Sequence, residues 1–70
     1  MREHAFGKRL KEERMGKGLT QRQLSNEINI SQSVIALWET KKREPNLDTL
    51  IMIAKFFDVT TDYLLGLTDF

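Results

Sequence analysis

The 70-residue chain has no cysteine, one proline, one tryptophan, one tyrosine and one histidine. Without cysteine there is no disulfide to hold a small fold together, and the absence fits a reducing compartment. A lone histidine and no cysteine exclude a zinc site of the usual Cys/His kind. No apolar run approaches the roughly 18 residues of a membrane span, and MREHAFGKRL has no signal-peptide apolar core. The expectation is one soluble, cytoplasmic domain over residues 1–70, with no membrane partner. A chain of this size buries only about 60% of its unfolded surface, so packing alone must carry a stability of a few kcal/mol. Nothing sustains the alternation of a strand, so no sheet is expected. No carboxylate pair, nucleophile–base arrangement or metal set appears. An enzyme is therefore not expected, and no cofactor is implied.

Charge is present but unevenly spread. Residues 1–45 carry ten Lys/Arg against six Glu, a balance of +4, whereas residues 46–70 carry Lys55 against Asp48, Asp58, Asp62 and Asp69, a balance of −3. Such asymmetry points to one face that meets a polyanion, and an ordinary solvated charge pattern accounts for it equally well.

Five helices can be read from period and punctuation. The first spans residues 3–16, with Phe6 and Leu10 four apart and Met15 and Leu19 extending its apolar face. Gly16 and Gly18 stop it. Thr20 and Gln23 have the spacing of a capping box and open a second helix, whose inner face is Leu24 and Ile28. Asn29 tolerates the left-handed conformation and makes a tight turn. Ser31 caps a third helix that runs to about Thr40. Two short helices across a three-residue turn are a helix-turn-helix candidate. Glu44-Pro45 is a break. Asn46 caps a fourth helix that runs through the apolar residues Leu47, Leu50, Ile51, Ile53, Ala54 and Phe57 and is ended by Asp58. Thr60 or Thr61 begins a fifth, ended by Gly66.

The third helix poses the functional question. Between Val34 and Trp38 five residues in a row have little polarity. On a helical wheel Ile35 and Trp38 share the inward face. Gln32, Ser33, Ala36 and Leu37 fall opposite, with Val34 at the margin. That outward face has no charge before Glu39, and a major groove about 12 Å wide admits such a helix. Gln32 can pair with adenine N6 and N7, Ser33 with several base edges, and Ala36, Leu37 and Val34 with thymine methyls. Val34 could equally extend the core; Leu37 is read as outward in preference to core, because Ile35 and Trp38 already fix the inner face. Lys41, Lys42 and Arg43 follow at once and can reach phosphates, which give affinity and register but no base reading. Gln21, with the free backbone N–H groups of the second helix, can hold another phosphate.

The stretch LTQRQLSNEINISQSVIALWETKKREPNLDTLIMIAKFFDVTTDYLLG resembles the helix-turn-helix domains of Cro/CI-type (XRE-like) phage and bacterial repressors, over about residues 6–66. The resemblance rests on Leu10 and Arg14, Gly18-Leu19-Thr20-Gln21, Leu24, Ser31, Ile35, Trp38-Glu39, Arg43-Glu44-Pro45, Leu50, Ala54, Val59 and Asp62-Tyr63-Leu64-Leu65-Gly66. It implies an all-α, compact five-helix, lambda-repressor-like fold. It further implies a transcriptional regulator, typically a repressor, that binds double-stranded DNA as a dimer on a palindromic operator. Gln32, Ser33 and Leu37 match base-contacting positions, with Ala36 and Val34 beside them. Thr20, Gln21 and Thr40 match backbone-contacting positions. Arg14 and Glu39 match a structural ion pair. Four departures stand out: Asn29 where glycine is common, Thr40-Lys41 where Asn-Gly is common, an apolar Leu37 where relatives carry a polar or basic residue, and Ser25 for alanine, expected to matter little. Met52 and Phe56, four apart on the fourth helix, with Tyr63, Leu67 and Phe70, are a candidate dimer surface. An antitoxin or other protein-interaction module built on the same fold is the competing reading.

Overall fold

The computed structural model describes residues 4–70. They form α1 (Phe6–Gly16), α2 (Gln21–Ile28), α3 (Gln32–Glu39), α4 (Leu47–Phe57) and α5 (Thr61–Leu65), with no strand among the described residues. Four starts are capped by side chains that leave the helix and accept a backbone N–H, as short polar residues do at that position. Thr20 accepts from Gln23, Ser31 from Val34, Asn46 from Thr49 and Thr60 from Tyr63. At α2 the box is complete, because Gln23 also takes the Thr20 N–H at 2.8 Å. Three helices stop on left-handed residues next to their last turn: Asn29 (φ 59°), Asp58 (φ 56°) and Gly66 (φ 81°).

The core is a single cluster of Phe6, Leu10, Leu24, Ile28, Ile35, Trp38, Leu50, Ile53, Ala54, Phe57 and Leu64. All five helices contribute. Phe6 meets Trp38 edge to face, with ring centroids 5.9 Å apart, an arrangement that suits the charge distribution of aromatic rings.

Four details differ from the sequence reading. The first helix begins at Phe6, not residue 3, and Glu3 lies outside the described residues. Ala5 is not helical; its N–H donates to the Leu65 carbonyl at the end of α5. Met15 does not extend the apolar face of α1 and is 61% exposed. The buried stripe runs Phe6, Leu10, Arg14, each four residues on, and so ends on a cation instead. Lys41 takes a left-handed φ of 64°, although a side chain pays about 1–2 kcal/mol there. The turn around it explains why: the Lys41 N–H donates to Trp38 O and the Lys42 N–H to Leu37 O, the paired bonds that satisfy orphan carbonyls at a helix end. Ser25, finally, is more than a stand-in for alanine. Its hydroxyl donates to the Ile30 carbonyl, and its own carbonyl accepts from Asn29 and Ile30, so it clamps both sides of the α2–α3 turn.

Gly7 holds α1 against the end of α3. A Cβ at that position would overlap the Trp38 carbonyl oxygen and lie 3.3 Å from that of Glu39. Only a residue without a side chain allows this approach.

Candidate nucleic-acid interface

The surface of interest is built from the start of α2, the outward side of α3 and the turn that follows. On α3, Ile35 and Trp38 are buried at 0% and 3% exposure. Because successive helical residues turn by about 100°, Gln32 and Ser33 are then left exposed, with Ala36 and Leu37 half-buried. Val34 packs against the core, which settles its inward role; Leu37 is not among the partly buried hydrophobics that do so. From Gln32 to Trp38 there is no charge. The face therefore offers an amide, a hydroxyl and two small apolar surfaces, which are the groups that match base edges and thymine methyls.

Cations flank it. Lys41, Lys42 and Arg43 are all exposed. Thr40 is exposed too, but its hydroxyl already donates to Ala36 O at 2.9 Å, so toward a phosphate its side chain must rotate or be passed over. At the start of α2, Thr20 is exposed and its hydroxyl accepts from Gln23. The backbone N–H groups of Gln21 and Arg22, in the first turn, have no partner among the described residues, and helix starts of this kind attract anions.

Beneath the surface lies a polar knot. Arg14 meets Glu39 through two bonds, Nε to Oε2 at 2.8 Å and Nη2 to Oε1 at 3.1 Å. Its remaining nitrogen, Nη1, donates to Leu19 O at 2.7 Å. The side chains of Arg14 and Glu39 are only 10% and 4% exposed. A carboxylate at the last residue of a helix faces the negative end of the helix dipole; here the guanidinium compensates it. Gln21 adds a third donor, Nε2 to Glu39 Oε1 at 3.0 Å. This contact is absent from the sequence reading, which gave Gln21 only a phosphate role. It joins residues 18 positions apart, and no local pattern announces it.

Elsewhere, Arg9 is a structural clamp. It donates to the carbonyls of Tyr63 and Thr68 and lies 4.3 Å from the centre of the Tyr63 ring. The Tyr63 hydroxyl donates to Glu13; burial, and then that carboxylate, hold the phenol above its usual value of 10.0. In the candidate dimer surface, Met52, Phe56 and Tyr63 are half-buried against the core, while Leu67 and Phe70 are 74% and 90% exposed. Leu47 and Ile51, which the sequence pattern groups with Leu50, Ile53, Ala54 and Phe57 in the apolar run of the fourth helix, are instead exposed at 76% and 45%. Among the described residues no group of His, Asp and Glu could hold a metal ion, and no helix is long and apolar enough to cross a membrane.

Two short capped helices across a tight turn, the second with an uncharged outward face, define a helix-turn-helix DNA-binding domain. The chain belongs to the helix-turn-helix family, whose sequence model matches residues 10–64, and within it to the Cro/CI (XRE-like) type. It is 45% identical over 61 residues to the HTH-type transcriptional activator BcrR of Enterococcus faecalis, covering 87% of this chain and 30% of that protein. It is 40% identical over 62 residues to the HTH-type transcriptional regulator ImmR of Bacillus subtilis (strain 168), covering 89% of this chain and 49% of that one. The chain thus spans from 30% to 49% of the length of these two relatives. Among solved structures, the P22 c2 repressor protein in complex with a synthetic operator superposes with a TM-score of 0.81 at 28% identity, over 90% of this chain and 96% of that one. The restriction-modification controller protein C.AhdI from Aeromonas hydrophila gives 0.75 at 30% identity, over 86% and 91%. The lambda-repressor-like fold is therefore that of this chain.

Proposed function

We propose that this chain binds double-stranded DNA in a sequence-specific manner and regulates transcription, with α3 in the major groove. The observation that carries the reading is the uncharged outward side of α3 set between the open start of α2 and the cations Lys41, Lys42 and Arg43. Gln32, Ser33, Ala36 and Leu37 read bases. Val34, packed on the core, touches a base at most with its outer methyl. Gln21, the α2 backbone, Lys41, Lys42 and Arg43 meet phosphates. One copy buries little surface on DNA, so two copies act together on a palindromic operator with half-sites about 10 base pairs apart. Three cations per protomer, six per dimer, give a slope of log K against log salt near −5. Repression is the favoured sign, by the likeness to the P22 c2 repressor, although the relative BcrR is an activator. The apolar surface exposed at Leu47, Ile51 and Leu67 favours α4 and the end of α5 as the place where copies meet.

Selection of bound sequences from random duplex DNA tests this. The expected result is an enriched, two-fold symmetric site containing A/T pairs. An unenriched pool would overturn sequence-specific binding, and an asymmetric single site would overturn the dimer. Replacing operator thymines by uracil is expected to weaken binding opposite Leu37 or Ala36, because uracil lacks the methyl. Sedimentation of Ile51→Lys and Leu67→Lys tests the contact between copies: dissociation is expected, and an unchanged dimer would exclude that surface.

A further inference from the structure

The Glu39 carboxylate has three donors: two from Arg14 and one from the Gln21 side-chain amide. The Arg14 bonds neutralise a charge at the end of α3. The Gln21 bond is not needed for that, since Arg14 already meets both carboxylate oxygens. Its effect is on Gln21. An amide nitrogen carries two N–H groups in a rigid plane. Once one is tied to Glu39, the plane is held and the direction of the other is set. Gln21 is also the first residue of α2, beside the backbone N–H groups of its own residue and Arg22. A free glutamine side chain loses considerable rotamer freedom when a ligand immobilises it; this one is already held.

We propose that Glu39 is a positioning residue for DNA binding: through its carboxylate it orients the Gln21 amide to donate to a phosphate, together with the start of α2. The proposal rests on the DNA-binding reading above. It gives Glu39 a role beyond its ion pair, without contact to DNA. It also ties the end of the recognition helix to the backbone clamp at the start of α2, so the two enter the groove in one register.

The test is a double-mutant cycle in the 70-residue chain, read by fluorescence anisotropy on the labelled duplex enriched in the selection. Glu39→Gln keeps the shape but offers one acceptor oxygen in place of two, and Arg14 takes it. Gln21→Ala removes the amide. Each single change is expected to weaken binding about tenfold, the scale of one hydrogen bond to a charged group. The double variant is expected to be no weaker than either single one. The salt slope is expected to stay unchanged throughout, because a neutral amide releases no counterion. Measurements are made where circular dichroism shows each variant folded. If Glu39→Gln does not fold, Glu39→Asp replaces it, since it keeps the charge for Arg14 but withdraws it from Gln21. Equal losses from Gln21→Ala in both backgrounds would overturn the proposal. So would a flattened salt slope in the Glu39 variant, which would mean that α3 and its cations had moved as a body. A Gln21→Ala variant that binds as tightly as the parent would overturn it and leave DNA binding standing. A parent chain that binds no duplex would remove the proposed function itself.

Discussion

Along the same eight residues of α3, one side is committed and the other is not. Ile35 and Trp38 are buried, and Glu39 is held by three hydrogen bonds. Gln32 and Ser33 stand exposed, and the Gln32 amide makes no bond to the described residues. The first side spends its chemistry on the fold, so its interactions are satisfied within the molecule. The second holds polar groups and apolar surface in reserve. The difference explains how a helix this short stays in place while offering half its surface to a partner. Mutations on the two sides should accordingly read out in different assays, stability for one and DNA recognition for the other.

The largest effect is expected inside. Glu39→Ala leaves Arg14 buried without its partner and should cost about 3–5 kcal/mol in urea unfolding. That is comparable with the whole stability of a domain this size. The pair Arg14→Met with Glu39→Leu should recover much of the loss, because two matched apolar groups need no compensation. If the double variant were as unstable as the single one, the ion pair would have a role that packing cannot replace. Next comes Gly7→Ala. Its added methyl meets a backbone carbonyl, which cannot swing aside, and should cost about 1–3 kcal/mol by forcing α1 from α3. An unchanged melting temperature would mean that this contact is looser than its geometry.

On the outer side and in the turn that follows it, the expected effects fall on DNA recognition and cost no stability. Gln32→Ala should keep the melting temperature and lose about 1–3 kcal/mol of discrimination at one base pair. A uniform loss across all sequences would put Gln32 on the backbone instead. The smallest effect on binding, and the sharpest contrast, belongs to Lys41→Gly. Relief of the left-handed lysine should stabilise the fold by up to about 1 kcal/mol. The lost cation should reduce the salt slope by about 0.9 per protomer. A variant that gains stability and keeps its full salt slope would show that Lys41 touches no phosphate.

How far these features were legible depends on their range. The capping box at Thr20 and Gln23, the caps at Ser31 and Asn46, and the stops at Asn29, Asp58 and Gly66 are contacts within a few residues and are legible in the sequence, which leaves only the choice between Thr60 and Thr61 open at the last helix. Ile35 and Trp38 followed from the helical period. The reading failed where the partner is distant. Met15 looked like the continuation of an apolar face until the stripe ran to Arg14. Ser25 seemed neutral because its partner carbonyl lies beyond the turn. Gly7 did leave a signal: a glycine inside a helix costs about 1 kcal/mol against alanine and so needs a reason. Only the approach of α3 supplies it.

The sequence by itself determined the five helices, their ends except the uncapped start of the first, and the uncharged character of one side of α3, because backbone capping and the 3.6-residue period act over a single turn. The tertiary structure alone decided that Val34 packs inward, that Leu47 and Ile51 stay exposed, and that the Gln21 amide is tied to Glu39. Those outcomes depend on which helix lies against which, and it is the docking of α1 and α2 on α3 that brings residues 14, 21 and 39 within hydrogen-bond reach.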